Sequence, residues 1–596
     1  MRIYFEDYSY KPSLIEPYLG GMDILEHDSN MTSFKVRRIG YLFVSTEKYS
    51  GPVFILPKSF LVNEGSRLNV LGMEGIFPED VVETDPDENP DAPANPLAKV
   101  GKETLLPELS LWLYRALRRF LDENIGTEIC AEAELDAQFP EDGARDKDLL
   151  SITLALIDFL KDHRNLFTQI SIINHSGRNK IDWHKTVSRD PLIQNGEPWY
   201  IKLAIREKSI NIDDRLIVLY YSVLNYIRRK YKFPVSIGEV PYELLPVHTI
   251  QRYLETGIGS KELQRIRHHY FRDDLKHLWT LLDSFFTHNS TDRDEGKRKE
   301  YILVSNFNIV FERMMDALIS DTHGVEELKN QSDGKLVDHI FRYKSLIGRH
   351  TEIYYIGDSK YYSDTNRPEG VALYKQFTYA KNAIQYHIDK IYLPGKSEGT
   401  LHYRDKYTEG YNITPNFFIR SRVTKEDLSF DNPAIEMTYW DKKKHLEYPK
   451  TNKHFEDRLF DRDTLILREF KINLLFVIAA YAGYEEEYWK SDFHRIIREL
   501  FIESIDKEYE FFILTPQNED INKFHYLYFE WINGKVYTLE SDNKTAPEHL
   551  LLAFEKNDTG KKDKEAFLSQ KLREYNTGKE LLYDLQPITL AELNKM

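Results

Sequence analysis

The segment "EIYYIGDSKYY", residues 352–362, reads as a β-strand that ends in charged side chains. Its first residues are rich in β-formers and contain no proline, which favours a strand over a loop. Side chains alternate between the two faces of a strand, so Asp358 and Lys360 are expected on one face and Ser359 on the other. The sequence therefore predicts a carboxylate beside an ammonium group at the end of a strand.

A second carboxylate, Asp338, interrupts the apolar stretch "KLVDHIF", residues 335–341. Two carboxylates and a lysine are the groups that metal-dependent phosphodiester cleavage requires. Carboxylate oxygens hold Mg²⁺, the ion lowers the pKa of a bound water, and the lysine steadies the developing charge. The acid-x-lysine pattern alone is not specific, because polar, loop-like stretches repeat it at Glu295, Asp333, Asp441 and Asp542.

Two amphipathic stretches flank the predicted strands. "FNIVFERMMDALI", residues 307–319, has apolar residues at helical spacing, with Glu312 beside that stripe. "VALYKQFTYAKNAIQYH", residues 371–387, shows the same spacing, with Gln376 alongside it. The order along the chain is therefore helix with glutamate, strand with aspartate, strand with Asp-x-Lys, and helix with glutamine.

This order is that of the PD-(D/E)XK nucleases, and the chain resembles that superfamily. Within it, the chain is similar in particular to the McrC-like subunits of NTP-dependent restriction systems and to the LlaJI family. The resemblance is carried by "QSDGKLVDHIF" (331–341), "YIGDSKYY" (355–362), "ALYKQFTYA" (372–380) and, upstream, "SGRNKIDWHKTVSRDP" (176–191). Two features depart from the pattern: Val337 replaces the superfamily's proline, and Tyr379 follows Gln376 one position earlier than in RecB-like nucleases.

The resemblance implies a role for each matching residue. Asp338 and Asp358 would bind the metal, Mg²⁺ or Mn²⁺, and Glu312 would complete the metal shell or hold a metal-bound water. Lys360 would be the catalytic lysine, and Gln376 would orient that lysine or a phosphate.

The upstream pair Asp182 and Trp183 is interpreted as structural.

Length and charge indicate a folded chain of several domains. The chain has 596 residues, of which 41% are hydrophobic, and a single core rarely grows beyond about 250–300 residues. The net charge of −16 is unusual for a protein that handles DNA alone, and it fits a subunit whose partner delivers the DNA. Cys130 is the only cysteine, which excludes disulfides within the chain and cysteine-cluster zinc sites.

The start of the sequence shows no signal-peptide pattern, and its apolar runs are shorter than the ~20 residues that span a bilayer. We therefore expect a cytoplasmic protein without membrane contact.

The predicted fold class is α/β and multidomain. It comprises an N-terminal β-rich domain (1–82), a Pro/Asp-rich linker (83–102), a mainly helical middle domain (103–300), a restriction-endonuclease-like mixed-sheet nuclease core (301–400) and a C-terminal extension that completes the nuclease domain (401–596). In the last two regions we expect a strand at "KIYLPG" (390–395), a buried helix in "FKINLLFVIAAYA" (470–482), and a hairpin turning on Asn533-Gly534.

The chain is not expected to bind a nucleotide itself. Gly395-Lys396-Ser397 is not a P-loop, because Lys390 stands where the first glycine is required. The resemblance then implies a separate McrB-like AAA+ GTPase or ATPase as partner, contacted through residues 1–82, and double-stranded DNA as substrate. Two alternatives stay open: a catalytically inactive scaffold that activates the motor, and a stand-alone RecB-like repair nuclease.

Overall fold

The computed structural model shows a mixed α/β chain with several separate sheets. Structure is described for all residues except 1, 21, 28–31, 47–48, 65–66, 84–104, 139–148, 164–165, 176–179, 190, 212–213, 231–234, 236, 291–299, 330–336, 349–350, 363–370, 392–402, 406, 439, 443–444, 448–450, 517–520, 540–548, 577–582 and 596. The predicted linker therefore lies outside the described residues, apart from Glu83 at its start.

The N-terminal region consists of short strands followed by helices. Its elements are β1 (Arg2–Phe5), β2 (Ser9–Tyr10), α1 (Pro12–Leu19), β3 (Leu25–His27), β4 (Phe34–Val36), β5 (Ile39–Ser45), β6 (Ser50–Leu56), β7 (Leu61–Glu64), β8 (Arg67–Val70), α2 (Pro78–Glu83), α3 (Leu105–Asn124), α4 (Glu128–Glu132) and β9 (Asp136–Gln138). A 3-10 turn, Lys58–Phe60, connects β6 to β7. This turn contacts Tyr361 and Ser421 in the central region of the chain.

The middle region is mainly helical, with short strand pairs between its helices. Its elements are α5 (Leu149–Asp162), β10 (Gln169–Asn174), α6 (Trp183–Val187), β11 (Leu192–Gln194), β12 (Glu197–Trp199), β13 (Ile205–Ile210), α7 (Arg215–Lys230), α8 (Val247–Thr256), α9 (Ile258–Ile266), α10 (Asp273–Ser290) and β14 (Tyr301–Val304). Asp182 caps α6 by accepting a hydrogen bond from the Lys185 amide, and it also binds Arg206 at 2.8 Å. These contacts agree with the structural interpretation of Asp182.

The strand β14 corrects the predicted start of the nuclease core. It pairs with β5 and β9 in a five-stranded sheet of order β1-β6-β5-β14-β9, so Tyr301–Val304 belongs with the N-terminal strands. The physical reason is that a short apolar strand shows where a chain is extended and carries no information about which sheet it joins.

The central region contains the sheet that carries the predicted site. Its elements are α11 (Phe307–Ile319), α12 (Glu326–Lys329), β15 (His339–Lys344), β16 (Glu352–Lys360), α13 (Val371–Ile391), β17 (Pro415–Arg422), β18 (Glu436–Met437), β19 (Trp440–Lys442), β20 (His445–Glu447), β21 (Thr451–Asn452) and β22 (Leu465–Asn473). The sheet is mixed, with order β15-β16-β17-β22-β18, and β21 also pairs with β22. Strand β15 is antiparallel to β16, whereas β16, β17 and β22 are parallel. Strands beyond residue 400 therefore belong to this sheet.

The C-terminal region adds helices and a separate sheet. Its elements are α14 (Leu474–Ala482), α15 (Glu486–Glu508), β23 (Tyr509–Pro516), α16 (Ile521–Ile532), β24 (Val536–Thr538), β25 (Leu550–Glu555), α17 (Asp558–Asn576), β26 (Tyr583–Ile588) and α18 (Leu590–Leu593). The four-stranded sheet has the order β24-β25-β23-β26. The helix predicted in "FKINLLFVIAAYA" is confirmed from Leu474 onward and is buried all round. The residues before it end β22.

Two local predictions differ from the structure. The prediction of a hairpin at Asn533-Gly534 is wrong, because the preceding segment is the helix α16. Its buried residues Ile521, Tyr528 and Ile532 recur at helical spacing, which the high content of aromatic β-formers obscured. In the predicted strand "KIYLPG", the first two residues end α13 and the others lie outside the described residues.

One continuous apolar core joins the N-terminal strands to the mixed sheet and the helices around it. Helix α3 packs on α14, and α11 packs on both α14 and α15. None of the helices in the described part of the chain combines the length and the apolar character that a bilayer crossing needs. The N-terminal strands and the surrounding helices therefore pack around the mixed sheet, and this packing fixes the positions of its strand ends.

Close packing beside the Asp-x-Lys strand makes Gly357 sensitive to substitution. A Cβ atom at Gly357 would lie 2.5 Å from two ring carbons of Phe417, a fully buried residue of the neighbouring strand. We expect Gly357→Ala to lower the free energy of unfolding by about 1–3 kcal/mol, because overpacking forces strand and ring apart. Urea denaturation measures this change. Gly238→Ala is the control, since its added Cβ would meet open space, and an equal loss in both variants would contradict the explanation.

Candidate active site

The register of β15 and β16 places the two predicted aspartates opposite each other. His339 pairs with Gly357 in this antiparallel ladder, so Asp338, the residue before β15, faces Asp358. Neighbouring positions across such a ladder have their side chains on the same face. Asp358 is buried and Asp338 half-buried. The fold therefore brings together two carboxylates that are separated in the sequence.

The paired carboxylates alter each other's ionisation. Burial, a hydrogen bond with Asp358 and the charge of Asp358 together raise the pKa of Asp338 to about 7, while His339 and Lys360 oppose the rise. Two like charges in one half-buried site cannot both ionise without cost. The pair therefore favours either a shared proton or a cation between its members.

Lys360 supplies one such cation. Its Nζ atom donates a hydrogen bond to Oδ1 of Asp358 within the same strand. Burial by itself would lower the pKa of Lys360, but Asp358, Asp338 and Glu312 outweigh burial and raise it. Lys360 therefore keeps its positive charge at neutral pH.

Glu312 lies on α11, which packs against β15 and β16. Burial raises the pKa of Glu312 to about 7, with a smaller contribution from the charge of Asp338, and Lys360 opposes this rise. Glu312 is thus electrostatically coupled to the same groups.

Gln376 lies on α13, and it is fully buried. Its Nε2 atom donates a hydrogen bond to the backbone carbonyl of Ile356 at 2.9 Å, two positions before Asp358. Its Oε1 atom is buried and has no hydrogen-bond partner among the residues that the structure describes. In this structure Gln376 therefore binds the strand backbone rather than Lys360, and its role towards a lysine or phosphate stays a prediction.

The donor set fits a hard divalent cation. Among the residues that the structure describes, no group of three or more His, Cys, Asp or Glu side chains is arranged as a ready-made metal site. Two close carboxylates with a third nearby nevertheless suit Mg²⁺, which usually keeps several waters and takes one or two carboxylates from a protein. The mutual repulsion of Asp338 and Asp358 favours the same outcome, since a cation relieves it.

A buried ion pair that the sequence reasoning missed lies on the same face of the sheet. Glu469 is aligned with Asp358 through Phe418, because β16, β17 and β22 are parallel and in register. Arg420, in register with Lys360, donates from Nη1 to Oε1 of Glu469 at 2.8 Å. Both charges are almost fully buried, and removing only one partner of such a pair costs about 3–5 kcal/mol. The sequence did contain a signal for this pair, because Arg420 and Glu469 each interrupt an apolar strand, as Asp338 interrupts the apolar stretch before β15.

The structure also contains an acid-histidine-serine line that sequence reasoning did not detect. His339 Nε2 is hydrogen-bonded to the Ser359 hydroxyl, and His339 Nδ1 lies 3.5 Å from Oδ1 of Asp316. Burial would raise the pKa of Asp316, but His339 and Lys329 hold it well below its usual range. His339 and Ser359 are completely buried, so no substrate reaches them. The line therefore acts as an internal polar bridge between α11, β15 and β16.

Comparison with known proteins gives only distant similarities. No family model matches the chain, and no curated protein matches it. One similar solved structure is a refined half-complex from a tetradecameric assembly of Thermococcus gammatolerans McrB AAA+ hexamers with bound McrC. It shows 9% identity, covers 84% of this chain and 99% of that chain, and has a TM-score of 0.24.

A second similar structure is the cryo-EM structure of the Thermococcus gammatolerans McrBC complex. It shows 12% identity, covers 65% of this chain and 99% of that chain, and has a TM-score of 0.20. TM-scores of this size do not establish a common fold. The chain is thus distantly similar to chains of McrBC complexes.

Proposed function

We propose that this chain is the metal-dependent DNA endonuclease subunit of a restriction system of the McrBC or LlaJI type. The observation that carries the proposal is the convergence of Asp338, Asp358 and Lys360 at one end of the mixed sheet. Two coupled carboxylates beside a charged lysine are the groups that metal-dependent phosphodiester hydrolysis uses.

Each residue has a definite part in the proposed reaction. Asp338 and Asp358 would hold the divalent cation, with Glu312 as a third acidic group close to them. When bound, Mg²⁺ or Mn²⁺ polarises the phosphate and lowers the pKa of a water molecule. Lys360, which keeps its charge, would donate hydrogen bonds to an anionic phosphate oxygen. Gln376 would hold β16 in place through the Ile356 carbonyl.

The proposed substrate is double-stranded DNA, and the proposed partner is an McrB-like AAA+ GTPase or ATPase. The resemblance of the three site stretches to McrC-like and LlaJI proteins supports both. The acidic net charge of −16 supports a division of labour in which the partner engages the DNA. The N-terminal strands would contact that partner.

A cleavage assay with the chain, an McrB-like AAA+ partner from the same source, nucleotide and linear double-stranded DNA tests the proposal. We expect cleavage that needs Mg²⁺ or Mn²⁺, stops on addition of a chelator and returns with excess metal. Stimulation of nucleotide hydrolysis without any DNA cleavage would favour the inactive scaffold. Cleavage at an unchanged rate without the partner would favour a stand-alone repair nuclease.

A further inference from the structure

A buried polar contact joins the N-terminal strands to the residue that follows Lys360. Tyr361 is 6% exposed, and its hydroxyl donates a hydrogen bond to Oε2 of Glu6. The same hydroxyl accepts a hydrogen bond from the Lys58 backbone amide at 3.0 Å. Glu6 follows β1 directly, and Lys58 begins the 3-10 turn after β6. Two separate parts of the N-terminal region therefore meet at one tyrosine hydroxyl.

Further contacts make this meeting point specific. The Lys58 amide also lies 3.2 Å from Oε2 of Glu6, and Lys58 Nζ binds Asp7 at 3.0 Å. The Lys58 ammonium lies 5.0 Å from the centre of the Tyr361 ring, within cation–π range. In the same turn, the Ser59 hydroxyl lies 2.6 Å from the Ser421 hydroxyl on β17. The 3-10 turn thus touches the ends of two adjacent strands of the mixed sheet.

The ring of Tyr361 extends the contact to the helix that carries Glu312. Phe307 and Phe311 of α11 pack against this ring, with centroid distances of 5.2 and 6.2 Å. Phe311 immediately precedes Glu312, and Tyr361 immediately follows Lys360. A shift of the N-terminal strands would therefore move the Tyr361 side chain and, through it, displace both Lys360 and Glu312.

The carboxylate in this contact is costly to the fold. Glu6 is 5% exposed, and burial raises its pKa to about 7, although Lys58 and the Tyr361 hydroxyl oppose the rise. An apolar contact of the same size would hold the two regions together without this cost. The polar contact instead fixes direction and distance, since a hydrogen bond tolerates little displacement.

We propose that Tyr361 is a positioning residue for Lys360 and Glu312, and that its hydrogen bonds with Glu6 and Lys58 link the N-terminal strands to the candidate nuclease site. This inference rests on the proposed function. It goes further by naming the path through which the N-terminal region, the expected partner contact, acts on the site.

The test compares two tyrosine-to-phenylalanine variants of the full-length chain. Tyr361→Phe keeps the ring and its packing on α11 but removes the hydroxyl. Tyr355→Phe is the matched control, because Tyr355 is buried in β16, the strand that Tyr361 directly follows, and its hydroxyl donates to the Lys344 carbonyl of β15 at 2.8 Å. We expect similar losses of melting temperature in both variants. Only Tyr361→Phe should lower kcat for DNA cleavage, by about tenfold, with KM for DNA unchanged.

A rescue variant and a double-mutant cycle distinguish positioning of the site residues from a general stabilisation of the fold. Glu6→Gln retains an acceptor oxygen and should keep kcat within a few fold of the original. Glu6→Ala should behave as Tyr361→Phe does, and the double variant should lose no more than either single variant. Equal kcat values in Tyr361→Phe and Tyr355→Phe, or losses that multiply in the double variant, would overturn the inference.

Amide hydrogen exchange gives a readout that does not depend on DNA cleavage. Tyr361→Phe and Glu6→Ala should each accelerate exchange in residues 1–10 and 307–319, whereas Tyr355→Phe should leave both segments unchanged. If the unsubstituted chain cleaves no DNA but the variants show these differences in exchange, the link stands and the proposed function fails. If exchange in these segments is the same in all variants, the link is rejected whatever the activity.

Discussion

Replacing Asp358 with asparagine is expected to abolish DNA cleavage, with a loss of about 10³-fold or more in the single-turnover rate. Asparagine has the size of aspartate, but its neutral amide cannot bind a divalent cation as a carboxylate does, and it cannot neutralise Lys360. The measurement is cleavage of linear double-stranded DNA in the presence of the AAA+ partner, nucleotide and Mg²⁺.

The same preparation should still bind the partner and stimulate its nucleotide hydrolysis, because the partners of Asp358 in the described part of the chain are Lys360 and Asp338, which both belong to the candidate site. Asp441→Asn is the matched control, since Asp441 begins another acid-x-lysine sequence in this chain and should have no effect on cleavage. Lys360→Met should also abolish cleavage. Metal-dependent cleavage that persists in Asp358→Asn would reject the proposed site.

Replacing Asp338 with asparagine is expected to abolish cleavage and, without metal, to stabilise the fold. The pKa of Asp338 is about 7 in the folded chain and near 3.8 when unfolded. Between these values the folded state holds a proton that the unfolded state releases, so this group's contribution to stability falls as pH rises from about 4 to 7. Above pH 7 the cost of the buried charge is fully present. At pH 8 we therefore expect Asp338→Asn to raise the free energy of unfolding by about 1–3 kcal/mol.

Denaturant titrations at pH 5 and pH 8, with and without Mg²⁺, measure this effect. The difference between Asp338→Asn and the unsubstituted chain should be small at pH 5 and larger at pH 8. Added Mg²⁺ should reduce or reverse it, because the metal stabilises only a chain that binds it. Asp389→Asn, an exposed position on α13, should change stability by less than about 0.5 kcal/mol. Destabilisation of Asp338→Asn at pH 8 without metal would contradict the repulsion between the two carboxylates.

Local patterns allowed much of the secondary structure around the site to be predicted. Strand β16 and helices α11 and α13 occur where β-formers and helical spacing indicated them. The errors arose where pattern and context conflict. Helix α16 is rich in aromatic β-formers but has buried residues at helical spacing, and β14 is a correctly located strand that joins a different sheet.

The candidate site could be predicted as a set of residues but not as an arrangement. Asp338, Asp358 and Lys360 meet in the structure, and Glu312 is coupled to them through charge. The hydrogen bond of Gln376 to the Ile356 carbonyl was not foreseen, because a sequence does not indicate which of several nearby acceptors an amide will choose. The Arg420–Glu469 pair was not predicted, because the sequence shows that each charge interrupts an apolar strand but not that the two strands lie side by side.

The sequence by itself determined which chemical groups are present and which segments form the helix and strands that carry them, because alternation and helical spacing act over a few neighbouring residues. The tertiary structure decided which of these groups meet. The antiparallel register sets Asp338 against Asp358, and the contact between Glu6 and Tyr361 joins positions 355 apart in the chain. Such contacts leave no local period, since their energy arises only when distant segments pack and exclude water.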